Sequence, residues 1–195
     1  MAGLVALSSY HNYRKPEIRH PKLEGGNKEE SRVTYIEVHK LVARTAKQIK
    51  TFRPEVILGI GGGGYIPARI LRTYIPEIPV LAVTLNFYCD VTLEVRPEPK
   101  IIQWIDAQTA DEYIKGKRVL LVDDIDDTRI TLSTVLAKLS ELTPAAVGVF
   151  VLHSKKKDYK APAEGISEWF VGAEIDNHWV EYPWDAIDVD KHHAR

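Results

Sequence analysis

The stretch RVLLVDDIDDTRITL, residues 118–132, decides the fold expected for this chain. The four apolar residues 119–122 are followed directly by acids, which is typical of a short strand that is buried on both faces and ends at the edge of a sheet. Thr128 and Thr131 then lead into a helical pattern over 131–142. A buried strand followed by a helix is the repeating unit of a parallel sheet, so this stretch predicts an α/β fold.

The segments on either side repeat that pattern. Further buried strands are predicted at 56–60, 80–85 and 145–153, and further helices at 35–52 and 67–74. Strands that are apolar on both faces and separated by helices imply a parallel sheet that is covered on both sides. Because ligands of such sheets bind beyond the carboxyl ends of the strands, we expect one site built from residues 61–64, residues 123–131 and the residues after 153.

The first helix has clear start and stop signals. Thr34 and Glu37 form a capping-box pattern, in which a hydroxyl and a carboxylate bind the first free amides of the helix, and Arg53-Pro54 ends it. Residues 1–31 carry prolines, glycines and mixed charges without a sustained period, which predicts a flexible arm. Residues 32–195 are predicted to form a single domain.

A long stretch without a predicted element spans residues 86–100 and contains Pro97 and Pro99. Loops of this length inside a compact domain are usually functional or mobile. Residues 101–104 are interpreted as the strand that returns from this loop.

The composition argues against several classes of function. The chain has 26 Lys and Arg against 27 Asp and Glu, so it lacks the basic surplus that nucleic acid or an anionic membrane surface demands. Its apolar runs are far shorter than the roughly 20 residues that cross a bilayer, and residues 1–9 lack the flanks of a signal peptide. The single cysteine, Cys89, cannot form an internal disulfide, so we expect a reducing, cytoplasmic setting.

Four of the five positions 123–127 are acidic. Adjacent carboxylates at a sheet edge can accept hydrogen bonds from sugar hydroxyls or bind a hard cation. The hydroxyls of Thr128 and Thr131, with the free amides at the start of the next helix, can donate to a phosphate. Helix capping alone does not explain so many acids. The stretch therefore offers acceptors for a ribose and donors for its phosphate.

Four glycines, Gly61, Gly62, Gly63 and Gly64, directly follow the strand 56–60. Glycine lets a backbone approach a ligand closely and adopt positive φ without penalty. Since the run precedes a predicted helix, its amides favour an anion. We expect an anion cradle here, and a plain tight turn is the alternative.

Two segments near the carboxyl end offer groups for a flat heterocycle. The stretch WVEYPWD, residues 179–185, combines aromatic rings that can stack on a base with carboxylates that can accept from its N–H groups. Tryptophans in the core of a final strand are the alternative for Trp184. The run Lys155, Lys156 and Lys157 follows the strand 145–153, and a solvated surface turn is the ordinary interpretation of Lys156 and Lys157.

Residues 119–131 resemble the phosphoribosyl pyrophosphate signature of the type I phosphoribosyltransferases: four apolar residues, two acids, two variable positions and then Asp-Thr-x-x-Thr. The resemblance implies a parallel twisted sheet flanked by helices, with a small hood subdomain. It implies that Asp123 and Asp124 hold the ribose hydroxyls with Mg²⁺ and that Asp127 is the general acid or base near purine N7. The residues that would bind the ribose 5-phosphate are Asp126, Asp127, Thr128, Arg129, Ile130 and Thr131.

At Arg129 and Ile130 the chain departs from the glycine and small or basic residue of many members, as a fungal branch of the hypoxanthine-guanine and xanthine enzymes does. The role of the Arg129 side chain stays open. The glycine run, with Arg69 from the next helix, would bind pyrophosphate. Residues 86–100 would form the hood, in which Phe87-Tyr88 is the nearest candidate for the family's Ser/Thr-Tyr pair.

The carboxyl-terminal segment resembles that of the 6-oxopurine enzymes. Trp179 would stack on the base, Val180 would contact it through its backbone, and Asp185 would reach a second Mg²⁺ or the purine 2-substituent. Lys155 would donate to the exocyclic O6, with His153 as the alternative donor.

The implied activity is Mg²⁺-dependent transfer of the 5-phosphoribosyl group from phosphoribosyl pyrophosphate to N9 of hypoxanthine, guanine or xanthine. The products would be IMP, GMP or XMP and pyrophosphate, as in purine salvage, and a homodimer is usual for the family. Two alternatives are a non-catalytic sensor of phosphoribosyl pyrophosphate that binds nucleic acid and an interaction protein with a relic site. The complete acid pair, Asp127 and the absent basic surplus argue against the sensor.

Overall fold

The computed structural model describes residues 30–88, 95–159 and 161–194. Within these ranges the strands are β1 (Glu30–Arg32), β2 (Val56–Gly61), β3 (Val80–Tyr88), β4 (Val95–Gln103), β5 (Arg118–Asp126), β6 (Ala146–Lys155), β7 (Glu168–Ile175) and β8 (Trp179–Glu181). The helices are α1 (Tyr35–Phe52), α2 (Tyr65–Tyr74), α3 (Ala107–Tyr113), α4 (Ile130–Ser140) and α5 (Val189–His193). Residues 1–29, most of the predicted arm, lie outside the described residues. None of the helices in the described ranges is long and apolar enough to span a membrane.

The predicted start and stop of α1 are confirmed. The amide of Glu37 donates to Thr34 Oγ1 at 3.2 Å, and the amide of Thr34 donates to Glu37 Oε2 at 2.7 Å. Arg53 takes the left-handed conformation and its amide donates to the Lys50 carbonyl, which ends the helix before Pro54.

Six strands form the main sheet in the order β4-β3-β2-β5-β6-β7. The pairs β2–β3, β2–β5, β5–β6 and β6–β7 are parallel, as the apolar runs predicted, and β4 alone runs antiparallel, against β3. The α/β fold class is therefore confirmed, with one antiparallel edge strand added.

The prediction of a continuous loop over residues 86–100 is wrong. Strand β3 continues to Tyr88 and β4 begins at Val95, and these two residues pair across the hairpin. The prolines at 97 and 99 lie within β4. An edge strand accepts proline because one row of its N–H groups faces away from the sheet, so the missing donors cost no ladder hydrogen bond.

Both faces of the sheet are covered, because alternate residues of the central strands enter two different cores. On β5, Leu120 packs in the core shared with α1 and α2, whereas Leu121 packs in the core shared with α4. Both side chains are fully buried. The continuous apolar runs of the sequence reflect this burial on both faces.

The order of strands reverses between β2 and β5. From β2 the chain moves outward to β3 and β4, and it then returns to β5 on the other side of β2. Ligands of open α/β sheets bind at such a reversal, beyond the carboxyl ends of the strands. The glycine run follows β2, and residues 123–131 lie at the end of β5 and beyond it, so both segments reach this place.

A separate two-stranded parallel sheet joins β1 and β8. Its register pairs Ser31 with Val180, and the amide of Val33 donates to the Glu181 carbonyl at 3.0 Å. Val33 and Val180 are buried in the core on the α1 side. This small sheet therefore holds the carboxyl-terminal segment against the domain.

Candidate functional site

A cavity of about 220 Å³ lies at the strand reversal. It is bounded by the ends of β2 and β5, the loop after β5 and the first turn of α4. The lining residues are Ile60, Gly61, Gly63, Leu85, Asp123, Asp124, Ile125, Asp126, Asp127, Thr128, Arg129, Thr131 and Leu132. The structure thus brings the glycine run and the acidic segment, about 60 positions apart in sequence, to one cavity.

Asp123 and Asp124 stand side by side at the end of β5. The Asp123 carboxylate accepts from the amide of Asp124 at 3.0 Å. Burial raises the pKa of Asp123 well above its usual range, and the charge of Asp124 raises it further. Burial also raises the pKa of Asp124 to about 6, with the charge of Asp185 adding to the effect. A cation bound beside these carboxylates would relieve both causes.

Close packing against protein atoms accounts for Gly61, Gly63 and Gly64 but not for Gly62. A methyl group on Gly63 would overlap the Asp124 carboxylate, and one on Gly64 would overlap the carbonyl oxygens of Val122 and Ile60. Gly62 has open space around it, and the peptide bond that joins it to Gly61 is cis. The glycines with positive φ in the described ranges are Gly116 and Gly165, so the expectation of positive φ in this run is wrong. The contacts that require small residues here are with protein atoms, and close approach to a ligand stays a prediction.

Tyr65, which the sequence did not single out, holds the glycine run against β3. Its hydroxyl lies 2.6 Å from Thr84 Oγ1 and donates to the Val83 carbonyl at 3.3 Å. The ring lies against Gly61, where a methyl group would overlap it. The signal for this residue is weak, because a tyrosine in the first turn of a helix is ordinary in sequence.

The loop at residues 127–131 leads into α4, which begins at Ile130. Arg129 caps that helix with φ of 67°, in the left-handed region that favours glycine. Its guanidinium binds Asp126, with Nη2 and Nε at 2.6 and 3.1 Å from Oδ2. The same guanidinium lies 3.5 Å from the centre of the Tyr159 ring and 4.9 Å from that of Trp169. The Arg129 side chain is thus engaged by protein groups, although the residue also lines the cavity.

Asp127 is held by two lysines from the end of β6. Lys155 Nζ donates to Asp127 Oδ2 at 2.8 Å, and Lys157 Nζ contacts Asp127 Oδ1. Burial raises the pKa of Asp127, but the hydrogen bonds and charges of the two lysines outweigh burial and bring the pKa below its usual range. Asp127 is therefore ionised at neutral pH and can accept a proton.

The surface-turn interpretation of the lysine run holds for Lys156, which is exposed and lies 3.9 Å from Asp176. It is wrong for Lys157, whose side chain is only 23% exposed and contacts Asp127. Lys155 is buried. The spacing of two residues between Lys155 and Lys157 is the one sequence signal that could have placed both amines on the same side of the chain.

Tyr182 connects the carboxyl-terminal segment to the acid pair. Its hydroxyl donates to the Asp124 carbonyl at 3.0 Å, so its only hydrogen is used there. His153 Nδ1, 2.8 Å from the same hydroxyl, must then be the donor to it. Burial lowers the pKa of His153 to about 4, with Glu37 opposing and His178 adding to the effect. His153 is therefore a neutral histidine with its hydrogen on Nδ1.

The remaining predicted residues occupy different places. Trp179 and Val180 lie on β8, and Asp185 follows it, close enough to Asp124 to raise the pKa of that group. Trp184 stacks on Tyr182 with ring centres 4.6 Å apart and packs against the core, which agrees with the alternative given for it. Arg69 is exposed on α2 and does not line the cavity.

The residues present suit a magnesium ion that keeps part of its own water. The described residues contain no group of three or more His, Cys, Asp or Glu side chains arranged to hold a metal by themselves. Mg²⁺ usually binds through one or two carboxylates together with waters and substrate phosphates. Asp123 and Asp124 offer only oxygen donors, and their raised pKa values show that positive charge is lacking there.

Residues 30–186 match a family model described as a phosphoribosyl transferase domain. The chain is 36% identical to the hypoxanthine-guanine phosphoribosyltransferase of Saccharomyces cerevisiae, over 82% of this chain and 87% of that protein. It is 33% identical to xanthine phosphoribosyltransferase 1 of the same organism, over 82% of this chain and 91% of that protein.

Among solved structures, the fold is similar to that of a hypothetical protein from Neisseria gonorrhoeae with bound ppGpp. The TM-score is 0.75 at 39% identity, and the match covers 86% of this chain and 96% of that one.

Proposed function

The chain belongs to the phosphoribosyltransferase family, and we propose that it transfers the 5-phosphoribosyl group from phosphoribosyl pyrophosphate to N9 of a 6-oxopurine. The observation that carries this proposal is the contact between Asp127, in the loop after β5, and Lys155, at the end of β6. This pair offers an acceptor for a purine N–H and a donor for O6 within one hydrogen bond of each other. Two relatives named for 6-oxopurine bases support the substrate class.

In this reaction the bond between ribose C1 and the pyrophosphate oxygen breaks, the bond between C1 and purine N9 forms, and the purine loses one proton. Asp123 and Asp124 would bind the ribose hydroxyls, and the loop with Thr128 and Thr131 would bind the 5-phosphate. Bound Mg²⁺ supplies positive charge against the leaving pyrophosphate. Asp127, ionised between two lysines, would receive the purine proton.

The glycine run would hold pyrophosphate mainly through its backbone amides. Arg69 is exposed on α2 and does not line the cavity, so its contribution to pyrophosphate binding stays a prediction. Trp179 would stack on the base, Val180 would contact it through its backbone, and Asp185 would bind Mg²⁺ or face the purine 2-position.

Of the two candidates for the O6 donor, we favour Lys155. His153 already uses its single hydrogen on Tyr182, and its low pKa means that it does not acquire a second one at neutral pH. Lys155 carries three donors on a buried amine that binds Asp127, which lines the cavity. An amine donor favours an oxopurine over adenine, whose exocyclic amino group is also a donor.

The deciding experiment incubates the purified chain with phosphoribosyl pyrophosphate and Mg²⁺, and separately with hypoxanthine, guanine, xanthine and adenine. We expect nucleoside monophosphate and pyrophosphate from one or more oxopurines, no product from adenine, and loss of product in EDTA. Binding of phosphoribosyl pyrophosphate without turnover of any base would favour the sensor alternative. Light scattering on the same sample tests the homodimer that we propose, and fractionation of the source cells tests the cytoplasmic location.

The same cavity is a candidate site for ppGpp, because the similar Neisseria gonorrhoeae structure contains that nucleotide. ppGpp carries two pyrophosphate groups on a ribose and a 6-oxopurine base, so the amides, the cation and the base-binding residues proposed here could bind it as well. We expect ppGpp to inhibit turnover competitively against phosphoribosyl pyrophosphate. Inhibition that is non-competitive against this substrate would place the nucleotide elsewhere.

A further inference from the structure

We propose that Tyr159 is a positioning residue that ties the loop at residues 127–131 to the base-binding lysine, Lys155. The inference rests on the proposed function, because it assigns that loop to the ribose phosphate and Lys155 to the purine. Tyr159 lies in the segment between β6 and β7, which none of the sequence motifs includes. Its ring contacts Arg129 in the loop, and its hydroxyl contacts the backbone of Lys155.

The ring acts on the phosphate side. The Arg129 guanidinium lies 3.5 Å from the centre of the Tyr159 ring, while its N–H groups bind the fully buried carboxylate of Asp126. A planar guanidinium can stack on an aromatic face and donate in its own plane at the same time. Arg129 is also the residue that turns the chain into α4, with φ of 67°. Fixing its side chain therefore fixes the backbone at the end of the loop.

The hydroxyl acts on the base side. It donates to the Lys155 carbonyl at 2.6 Å, which uses its only hydrogen, so Ser154 Oγ, 2.8 Å away, must donate to it. Lys155 Nζ in turn binds Asp127 at the start of the loop. These contacts form a ring. The Tyr159 ring stacks on Arg129 at the end of the loop, Asp127 at the start of the loop binds Lys155, and the Lys155 carbonyl accepts from the Tyr159 hydroxyl. A displacement of the loop is therefore transmitted to the lysine, and the reverse.

The two contacts can be separated with two substitutions. Tyr159→Phe keeps the ring and removes the hydroxyl, so we expect the KM for the oxopurine to rise about 3-fold to 10-fold, as for one lost hydrogen bond. The KM for phosphoribosyl pyrophosphate should stay within about twofold, since the ring contact is retained. Tyr159→Leu removes both contacts and should raise both KM values, that for phosphoribosyl pyrophosphate by about 5-fold to 30-fold.

A third variant and a control complete the design. Arg129→Lys keeps the charge but loses the planar fork, so it should weaken phosphoribosyl pyrophosphate binding by a factor similar to that of Tyr159→Leu. The control is Lys138→Met, in the last turn of α4, the helix that Arg129 caps at its start. It removes a cation 5.6 Å from the Trp104 ring and should leave both KM values unchanged. Melting temperatures show which variants fold, and Tyr159→Phe tests the inference even where Tyr159→Leu does not fold.

Calorimetric Kd values for phosphoribosyl pyrophosphate with Mg²⁺ are measured beside the kinetics. A wild-type chain without turnover contradicts the proposed function, while the calorimetry still tests the ring contact. A wild-type chain that turns over, with KM values that Tyr159→Phe and Tyr159→Leu leave unchanged, overturns the role of Tyr159 and leaves the function standing. Equal changes in the KM values of both substrates in Tyr159→Phe and Tyr159→Leu would also overturn this role, because the ring and the hydroxyl would then not act on different substrates.

Discussion

At the scale of single residues, the protonation state of Asp127 is set by the two lysine amines that bind it. Lys155 and Lys157 keep its pKa below the usual range despite partial burial, so the carboxylate is ionised at neutral pH. Its basicity as a proton acceptor would rise when one of the two lysines turns to the substrate. If a bound purine draws Lys155 to O6, as proposed, Lys157 would still neutralise Asp127. Asp127 would then keep one partner instead of becoming an unpaired charge. The second lysine limits the free-energy cost of breaking the ion pair between Asp127 and Lys155.

Replacement of Asp127 by Asn should separate catalysis from binding. The amide has the shape of the carboxylate but does not accept the purine proton, so we expect kcat to fall by roughly 10²-fold or more while the KM for phosphoribosyl pyrophosphate changes little. Steady-state kinetics at neutral pH provide the measurement. The exposed Lys156→Ala variant is the matched control, and unchanged turnover in Asp127→Asn would rule out the catalytic role.

His153 gives a residue-scale prediction about pH. Its pKa is lowered to about 4 in the folded chain from an ordinary 6.5, mainly by burial. Between these two values the unfolded chain binds more protons than the folded chain, so the free energy of unfolding falls as pH drops from about 6.5 to 4. The contribution of this residue is at most about 3 kcal/mol across that window, because a shift of one pKa unit corresponds to about 1.4 kcal/mol.

The measurement is denaturant unfolding of the wild type and of His153→Asn at several pH values. The Asn side chain can still donate to Tyr182 but does not titrate. We expect the stability advantage of the wild type over the variant to be largest above pH 6.5 and to shrink toward pH 4. The exposed His39→Asn variant serves as the control, and an advantage that stays constant over this range would contradict the prediction.

At the scale of elements, the glycine run could be located from sequence, but the contacts that require glycine there could not. Gly63 lies against the Asp124 carboxylate, and Gly62 has open space. We therefore expect Gly63→Ala to displace the carboxylate or the loop, with a loss of about 1–3 kcal/mol in the free energy of unfolding. Binding of phosphoribosyl pyrophosphate with Mg²⁺ should weaken as well.

Gly62→Ala is the matched control, one position away with the same change in side chain. It should change stability and binding much less, since the added methyl group meets no atom within 4 Å. Thermal unfolding and calorimetric titration of both variants provide the comparison. Similar effects at the two positions would show that backbone conformation, rather than close packing against Asp124, requires the glycines.

The central strands could be predicted because burial on both faces leaves continuous apolar runs, as in β2, β5 and β6. The hairpin of β3 and β4 could not, since its prolines indicate a loop unless the strand is known to lie at an edge. The three-residue strands β1 and β8 are too short to show a period, and the seven-residue α3 carries only an Asp106 cap, which accepts from the Thr109 amide.

The residues of the candidate site likewise fall into those that the sequence indicated and those that it did not. The segments recognised in sequence, 61–64 and 123–131, meet at one cavity because the carboxyl ends of β2 and β5 are neighbours. Lys157, Tyr65 and Tyr159 were missed because their partners lie on other elements. Their contacts with Asp127, Thr84 and Arg129 exist only once the sheet has formed, and apart from the two-residue spacing of Lys155 and Lys157 the sequence gives little sign of them.

At the scale of the whole molecule, a net charge of −1 conceals a local imbalance. The charge of Asp124 raises the pKa of Asp123, and the charge of Asp185 raises that of Asp124, while Lys155 and Lys157 are engaged with Asp127. No basic side chain of the described residues is among the main causes that shift these two pKa values, so we expect positive charge at the acid pair to come from a bound cation. This is the physical basis for expecting Mg²⁺ and a phosphorylated substrate to bind together.

Ligand binding to the folded chain alone should then raise its melting temperature in a metal-dependent way. At 100 times Kd, phosphoribosyl pyrophosphate with Mg²⁺ should stabilise the chain by about 2.7 kcal/mol, which corresponds to roughly 5–11 °C for a chain of this size. EDTA should remove most of that shift. Asp124→Asn should also remove most of it, because the metal loses a carboxylate, whereas Asp111→Asn, an exposed change at the Lys115 ion pair, should retain it. An equal shift in Mg²⁺ and in EDTA would show that the acid pair does not act through a cation.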